Sequence, residues 1–421
     1  RRRRGGAPPR AMAPALAPCR SLPDIRAARP LLLATPSIRA SKDRFASTCP
    51  AGRPWGREHG KHFEFQRTLY DCDKQTVQQL KRLHKAFPFQ SYVEGSENRG
   101  VTIEQLLRVH RFAMGVCAEW GRAFDEVDFH DVSRWVLSPT TKSTNSAFYE
   151  HLAKRKQSPN WFISHWWGGK VATFARCIQK HMATRDLCVS TVFWICAYAL
   201  RQNALRDDVG ASPCRSAFYK AMEAARFKLL LVLDAETGDG GPATPSSRIW
   251  CCFECAVCLG NQNARMDIVT CNAGEVAVVT DGLTQQEQTC ERYRAGVGLA
   301  AKTARERAFP LAIVEAGLQW DRWDVRKARA TEAEDRGRIL NSLAARDLDA
   351  EPEREHERYG ATNLQLRSAF AQAFIRWALA SGAPQEVIEE LVRTIPRDTQ
   401  RTWLRLNVAG CDLGDPQRLR L

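Results

Sequence analysis

The sequence predicts an α/β fold in which a parallel β-sheet carries helices on both faces and lies between two α-helical regions of the chain. Over residues 158–283, continuous apolar segments rich in β-branched residues alternate with segments of helical periodicity, a pattern typical of parallel strands joined by crossover helices. The regions 61–157 and 284–398 instead show mostly helical spacing of apolar residues. The 421 residues, 44% hydrophobic and 26% charged, can bury a substantial core in two or three domains.

Within residues 158–283, the pattern of apolar residues predicts the order of the elements. Short apolar runs bounded by turn residues indicate buried strands, and longer segments with three- and four-residue spacing indicate helices. The expected strands are Trp161–Ser164, Thr191–Tyr198, Lys228–Asp234, Met266–Thr270 and Glu275–Thr280, and the expected helices are Val171–Met182, Ser216–Ala225 and Ile249–Leu259.

The flanking regions are predicted to be helical. In the lead-in region, Ile103, Leu106 and Met114 recur at helical spacing, and Thr102 followed by Gln105 gives a capping signal. No catalytic pattern stands out there, so we expect this region to pack on the sheet. After the sheet, the segments with the clearest helical pattern are Arg294–Arg307, Arg338–Leu348 and Leu364–Ala380.

The last segment, residues 399–421, has a different pattern. It fits the leucine-rich-repeat spacing, although one such unit cannot bury its own apolar face. The agreement is therefore either chance or the start of a repeat array that continues beyond Leu421. The residues that fit are Trp403, Leu406, Val408, Cys411 and Leu413.

The positive charge of the chain is concentrated in residues 1–60. The formal net charge is +15, and this segment supplies +10 of it with 13 basic and 3 acidic residues. A nucleic-acid-binding domain would carry its basic excess on a folded face, so nucleic acid is not an expected partner. The segment is predicted to be a disordered extension, and the alternative is an organelle transit peptide.

The cysteines and the apolar runs indicate where in the cell the protein is expected. The chain has fifteen cysteines, an odd number, and many of them fall inside predicted helices and strands, which favours free, mostly buried thiols in a reducing, cytoplasmic setting. Four of them, Cys251, Cys252, Cys255 and Cys258, lie on one predicted helix, where burial explains them better than a metal site, so no metal is expected. The longest apolar run, Val192–Leu200, is less than half of the ~20 residues that span a bilayer.

The expected ligand site lies at the carboxyl ends of the strands. Ligands of open parallel sheets bind where the winding reverses, which in a flavodoxin-like order lies between the first and third strands. The loops there are 165–170 and 235–249, and a helix N-terminus after the Gly168–Gly169 pair could hold a phosphate. The candidate ligand-binding residues are His165, Trp166, Trp167, Gly168, Gly169, Lys170, Asp234, Arg248 and Trp250.

Several of these candidates have a second interpretation. Trp166 or Trp167 could stack on an aromatic base, but both could equally belong to the core. Lys170 and Arg248 could contact phosphate or simply be solvated surface charges. Glu254 follows Trp250 by one turn of the predicted helix and is surrounded in sequence by apolar residues, which makes it a candidate catalytic carboxylate. Its alternative role is to complement the helix dipole.

Two motifs resemble the Toll/interleukin-1 receptor (TIR) family. Trp161-Phe-Ile-Ser-His looks like the first TIR motif, a strand that ends in Phe-x-Ser-His or Tyr. Ser247-Arg-Ile-Trp-Cys-Cys-Phe-Glu looks like the Ser-x-Trp-Cys-x-x-Glu stretch that opens the third TIR helix. Their order and spacing agree with the family, and the resemblance covers about a third of the chain. The bulky loop His165-Trp-Trp-Gly-Gly and the loop from Leu200 to Ser212 depart from it.

The resemblance implies a flavodoxin-like sheet and two alternative functions. Some TIR domains hydrolyse NAD at the bond between nicotinamide and ribose, and their catalytic glutamate corresponds to Glu254. Others are non-catalytic scaffolds that assemble through contacts between like domains. In both cases a homo-oligomer or a protein partner is expected, and NAD would be a substrate, with no bound cofactor. A third alternative is a regulatory domain that binds a nucleotide without turnover.

Overall fold

The computed structural model describes residues 73–210, 212–236 and 241–395, which belong to one compact unit. The expectations for residues 1–60 and 399–421, a basic extension and a leucine-rich repeat, lie outside the described residues. In the described part of the chain, no helix is both long and apolar enough to cross a membrane.

The centre of the unit is a six-stranded mixed sheet. Its order is β1-β3-β2-β4-β5-β6, and the four inner strands β3, β2, β4 and β5 are parallel. The strands are β1 (Val101–Thr102), β2 (Trp161–His165), β3 (Val192–Trp194), β4 (Lys228–Leu233), β5 (Arg265–Asn272) and β6 (Glu275–Val279).

The prediction of a wholly parallel sheet is wrong at both edges, since β1 pairs antiparallel with β3 and β6 pairs antiparallel with β5. Two residues, Ala273 and Gly274, separate β5 from β6, and a parallel pair needs a crossover of a dozen or more residues. Both have positive φ, 46° and 87°, as a tight hairpin turn requires. The turn sets the register at Asn272 opposite Glu275.

The helices account for most of the remaining described residues. They are α1 (Asp73–Ala86), α2 (Ile103–Glu119), α3 (Phe129–Val132), α4 (Ser138–Thr141), α5 (Val171–Arg185), α6 (Cys196–Ala199), α7 (Leu205–Val209), α8 (Ala217–Ala224), α9 (Ile249–Leu259), α10 (Gln285–Tyr293), α11 (Val297–Glu306), α12 (Leu311–Leu318), α13 (Ala333–Ala344), α14 (Glu357–Ser381) and α15 (Gln385–Thr394).

Several predicted elements differ in extent, and two of the differences have a clear local cause. The second strand was expected to run to Tyr198, but it ends at Trp194 and a helical turn, α6, follows. The β-branched residues stop at Ile195, and the alanines after it favour helix. The helix predicted over Arg294–Arg307 begins later, at Val297, because Gly296 before it is left-handed with a φ of 87°.

The sheet is covered on both faces, each by a different flanking region. Side chains alternate along β4, so Leu229 and Leu231 face one hydrophobic core and Leu230 faces the other. The C-terminal helices close the first core, for example through Phe370 of α14. The N-terminal helices close the second core, for example through Leu106 of α2. The flanking regions therefore supply the apolar surface that a two-sided sheet needs.

The crossover helices place the reversal of winding between β2 and β4. Helix α5, which follows β2, packs on the second core, whereas α8 and α9, on either side of β4 in the sequence, pack on the first core. When the helices that follow two adjacent parallel strands pack on opposite faces of the sheet, a crevice forms at the carboxyl ends of those strands. The loops at this crevice are 166–170 after β2 and 234–248 after β4, of which residues 237–240 are not described.

Candidate functional site

The crevice brings together a serine and a glutamate from different elements. Ser164, near the end of β2, donates a hydrogen bond from Oγ to Glu254 Oε2 on α9 at 2.5 Å. Ser164 is fully buried and Glu254 is 4% exposed. Since α9 packs on the first core, the pair lies on that face of the sheet. Glu254 is therefore held in one orientation at the carboxyl end of β2.

Burial determines the protonation of this carboxyl group. It raises the pKa of Glu254 to about 8, and the hydrogen bond from Ser164 only partly opposes the shift. In this conformation the carboxyl group is therefore mostly protonated at pH 7. A solvent-exposed glutamate would be ionised at that pH, so access of water to Glu254 would change its charge.

Thiol groups of α6 and α9 lie near the glutamate, since its charge acts on Cys196 and Cys251. Trp167 Nε1 donates to Cys196 Sγ at 3.1 Å, and Cys251 Sγ lies 3.6 Å from the carbonyl oxygen of His165. Burial, and to a smaller extent the charge of Glu254, raise the pKa of the Cys196 thiol to about 12. Glu254 thus has thiol neighbours, and little of its surface reaches solvent.

His165, next to Ser164, points to the opposite face of the sheet. Its ring packs against Phe129 and Phe174, with ring centroids 4.6 Å and 4.8 Å away. Neither ring nitrogen has a hydrogen-bond partner of normal geometry among the described residues. Burial lowers the pKa of His165 to about 4, so the imidazole is neutral at pH 7. This alternation divides the predicted site residues between two faces.

The pocket beside His165 is small. Water-sized molecules can occupy about 50 Å³ of it, which is room for about four waters. A dinucleotide is much larger than four waters and would fit only if the loops moved apart. Glu254 does not line the pocket. The residues that line it include five predicted for ligand binding: His165, Trp166, Gly169, Lys170 and Asp234.

The glycine pair shapes the first loop. A Cβ atom on Gly168 would lie 2.3 Å from the ring of Trp166, so the indole occupies the space a side chain would need. Gly169 donates its N–H to the carbonyl of Trp166 at 3.0 Å and closes the turn. Trp166 folds back over the loop, and a side chain at position 168 would have to displace its ring.

Asp234 and Lys170 stabilise the loops. Asp234 accepts hydrogen bonds from the backbone N–H and the hydroxyl of Thr244, both at 2.7 Å, and so closes the second loop. Lys170 Nζ donates to the carbonyl of Glu126 at 3.1 Å and lies 4.0 Å from the carboxylate of Glu236. Both side chains already have protein partners in this conformation.

Arg248 and Trp250 are engaged by other parts of the chain. Trp250 Nε1 donates to Asp335 at 2.9 Å, and its ring stacks on Phe218 with centroids 4.5 Å apart. Arg248 donates to the hydroxyl of Thr331 at 2.9 Å. Neither residue lines the pocket beside His165. The structure therefore does not gather all the predicted ligand-binding residues around one cavity.

A segment of the N-terminal region holds the first loop. Residues 126–129 run beside residues 167–171 and pair with them through backbone and side-chain hydrogen bonds. Phe129 also lines the pocket, and no sequence pattern marked it, because its contact with the loop is tertiary. The bonds are Phe129 N to Trp167 O at 3.0 Å, Val171 N to Val127 O at 2.9 Å and Lys170 Nζ to Glu126 O at 3.1 Å.

The cysteine-rich helix α9 is packed into the protein interior. Cys251, Cys252, Cys255 and Cys258 are all buried and form no disulfide. Within the described residues, no group of three or more His, Cys, Asp or Glu side chains is arranged to hold a metal ion.

Comparisons with protein-family models, curated proteins and solved structures find no match to this chain. The resemblance to TIR domains accordingly rests on the two sequence motifs, the residues of which include Ser164 and Glu254.

Proposed function

We propose that this chain is a TIR-like NAD glycohydrolase whose catalytic carboxylate is Glu254 and whose crevice is closed in the conformation described. The observation that carries the proposal is the hydrogen bond between Ser164 and Glu254. It joins one residue from each TIR-like motif at the point where the winding of the sheet reverses. A buried carboxyl group with a strongly shifted pKa in such a crevice is typical of catalytic sites.

The order of the strands supports the TIR-like part of the proposal. Without the short edge strand β1, the order β3-β2-β4-β5-β6 places the second strand first, followed by the first, third, fourth and fifth. This is the order of flavodoxin-like sheets. The antiparallel β6 is a departure, since a flavodoxin-like sheet has a parallel fifth strand in that position.

The chemistry assigns Glu254 a definite role. Cleavage of the bond between nicotinamide and ribose passes through an oxocarbenium-like state, which a nearby carboxylate stabilises. Nicotinamide leaves as a neutral molecule, so no general acid is required. Only the ionised form of Glu254 can stabilise the positive charge, and burial holds the group neutral at pH 7. Catalysis therefore requires an opening that hydrates Glu254 or brings the cationic substrate beside it.

The same burial supports a second candidate function. A carboxyl group that is 4% exposed beside a pocket with room for a few waters is also what a non-catalytic TIR-like scaffold would have. In such a scaffold the hydrogen bond between Ser164 and Glu254 would only join α9 to the sheet. The two functions differ in whether assembly of the chain opens the crevice to NAD.

NAD consumption by the full chain, measured over a range of protein concentrations, separates the two functions. For the enzyme we expect turnover per chain to rise with concentration, because TIR-like enzymes complete their site on assembly. Glu254→Gln should abolish turnover and keep the fold, since a glutamine oxygen can still accept the hydrogen bond from Ser164.

The control for the lost carboxyl group is Glu315→Gln, an exposed position on α12, which should turn over NAD like the wild type. If folded, assembled wild-type protein leaves NAD intact at every concentration, the scaffold is the better account. If Glu254→Gln retains turnover, Glu254 is not the catalytic group.

A further inference from the structure

A segment of the C-terminal region, residues 323–335, runs beside the junction between the second loop and α9. We call this segment the latch. Arg329 uses both its backbone groups in the contact: its N–H donates to the carbonyl of Ser247 at 2.8 Å, and its carbonyl accepts from the N–H of Ile249 at 2.9 Å. Arg248 and Arg329 thereby form a short parallel bridge.

Two side-chain contacts extend this pairing into the first turn of α9. Trp250 donates from Nε1 to Asp335 of the latch at 2.9 Å, and Arg248 donates to the hydroxyl of Thr331 at 2.9 Å. Trp250 precedes Glu254 by one helical turn, so both residues lie on neighbouring turns of the same side of α9. The latch therefore holds the part of the helix that leads directly to the candidate carboxylate.

The other end of the latch is anchored in the core. Trp323 is 2% exposed, and its backbone N–H donates to the carbonyl of Ser246 at 2.9 Å. Its φ of 53° is rare for a bulky residue and requires support from the surroundings. That support comes from α14, where Asn363 accepts from the N–H of Val325 at 2.9 Å and donates to Asp324 at 2.8 Å.

We propose that the latch is an intramolecular restraint on the crevice: it holds residues 246–250 in place and so keeps Glu254 covered. Release of the latch from α9 opens the crevice. The opening of the crevice is inferred from the contacts of residues 323–335 alone. Only its effect on NAD turnover rests on the proposed function. The chain thereby carries a built-in restraint on its own candidate site, which a partner or an assembly contact would have to remove.

The test uses two substitutions at one exposed position. Arg329→Pro removes the N–H that bonds Ser247, and Arg329→Ala removes the same exposed side chain but keeps the N–H. The readout in the full chain is the rate at which a thiol reagent labels Cys251, which is 4% exposed and whose Sγ lies 3.6 Å from the carbonyl oxygen of His165 at the end of β2. Cys255 on the same helix is 1% exposed and reports unfolding of the core.

We expect the reagent to label Cys251 about fivefold faster in Arg329→Pro than in Arg329→Ala. This factor corresponds to the loss of one backbone hydrogen bond of about 1 kcal/mol. Labelling of Cys255 should stay unchanged. Equal labelling of Cys251 in the two variants would overturn the proposal.

If Arg329→Pro also exposes Cys255, the chain has unfolded, and Thr331→Val decides instead. That variant keeps the shape of the side chain and loses the hydroxyl that Arg248 contacts. Faster labelling of Cys251 alone supports the latch, and a wild-type rate refutes it. If Cys251 is labelled faster in these variants but NAD is not turned over, the proposal of the latch is supported and the proposed enzyme activity is not.

Discussion

At the scale of single residues, the properties of the site depend on tertiary contacts that no sequence pattern predicts. The motif predicted that Glu254 faces a crevice, but its pKa of about 8 follows from the complete burial that tertiary packing produces. The alternation of side chains along a strand explains why Ser164 and His165 point to opposite faces. It could not show that Phe129, distant in sequence, covers His165.

The raised pKa of Glu254 predicts a dependence of stability on pH. The folded state binds a proton up to about pH 8, whereas the unfolded state releases it near 4.5, so the contribution of this group to stability falls as pH rises between these values. Glu254→Gln cannot ionise. We expect the wild type to lose stability relative to this variant, by about 4 kcal/mol between pH 4.5 and 8. Urea unfolding of both proteins over this range measures the difference, and parallel curves would contradict the predicted shift.

Gly168 is predicted to tolerate no side chain. In Gly168→Ala the new Cβ would overlap the ring of Trp166, which must move, and we expect a loss of about 1–3 kcal/mol with a change in tryptophan fluorescence. Gly360→Ala is the matched control, because a Cβ there meets nothing within 4 Å on α14. It should be neutral or stabilise by about 0.5–1 kcal/mol. Equal thermal stability of the two variants would contradict the prediction and show that the loop accommodates the extra methyl group.

At the scale of elements, the sequence was sufficient to predict the inner strands and the crossover helices, because their apolar runs are long and bounded by turn residues. Helix α9 has the predicted bounds, Ile249–Leu259. The prediction failed at the edges, where β5 and β6 turn back through two residues and β1 has only two residues. Short edge strands carry almost no periodicity, so their pairing is decided by tertiary contacts.

A buried ion cluster joins β5 to α5. Asp267 is fully buried and accepts hydrogen bonds from Arg185 Nη2 at 2.5 Å and His181 Nε2 at 2.9 Å. Burial alone would raise the pKa of Asp267, but the hydrogen bonds from Arg185 and His181 outweigh it and hold the pKa well below its usual range. The strand pattern around Met266 did not reveal this cluster, because its partners come from another element.

Removal of this carboxylate should be costly. Asp267→Ala leaves the guanidinium of Arg185 buried without its main partner, and we expect a loss of about 3–5 kcal/mol. Asp321→Ala, at an exposed position, should change stability by less than about 0.5 kcal/mol. Chemical denaturation of the two variants and the wild type provides the comparison, and a loss below 1 kcal/mol at Asp267 would show that the cluster contributes little.

At the scale of the whole molecule, the sheet and its two flanking regions form one compact unit. The sequence indicated helical regions before and after the sheet, but helical periodicity alone does not say which surface a helix covers. The structure shows that the N-terminal helices cover one face and the C-terminal helices cover the other. The same regions contact both loops of the crevice, through residues 126–129 and through the latch.

This arrangement predicts that residues 158–283 cannot fold alone. Without the flanking helices, Leu229 and Leu230 would keep only the cover of the crossover helices α5, α8 and α9, and much of both hydrophobic cores would be exposed to water. We expect this fragment to lack cooperative thermal unfolding and to aggregate, whereas residues 73–395 should unfold in a cooperative transition. Calorimetry of the two fragments tests this, and a sharp transition in the shorter one would contradict the account of the core.

The most direct measurement of the central claim is nicotinamide release from NAD by the full chain at a concentration where it assembles, compared between wild type and Glu254→Gln. The account predicts release by the wild type and none by a variant that remains folded and assembled. Equal release by both proteins, or none by the wild type, would contradict the assignment of Glu254 as the catalytic carboxylate.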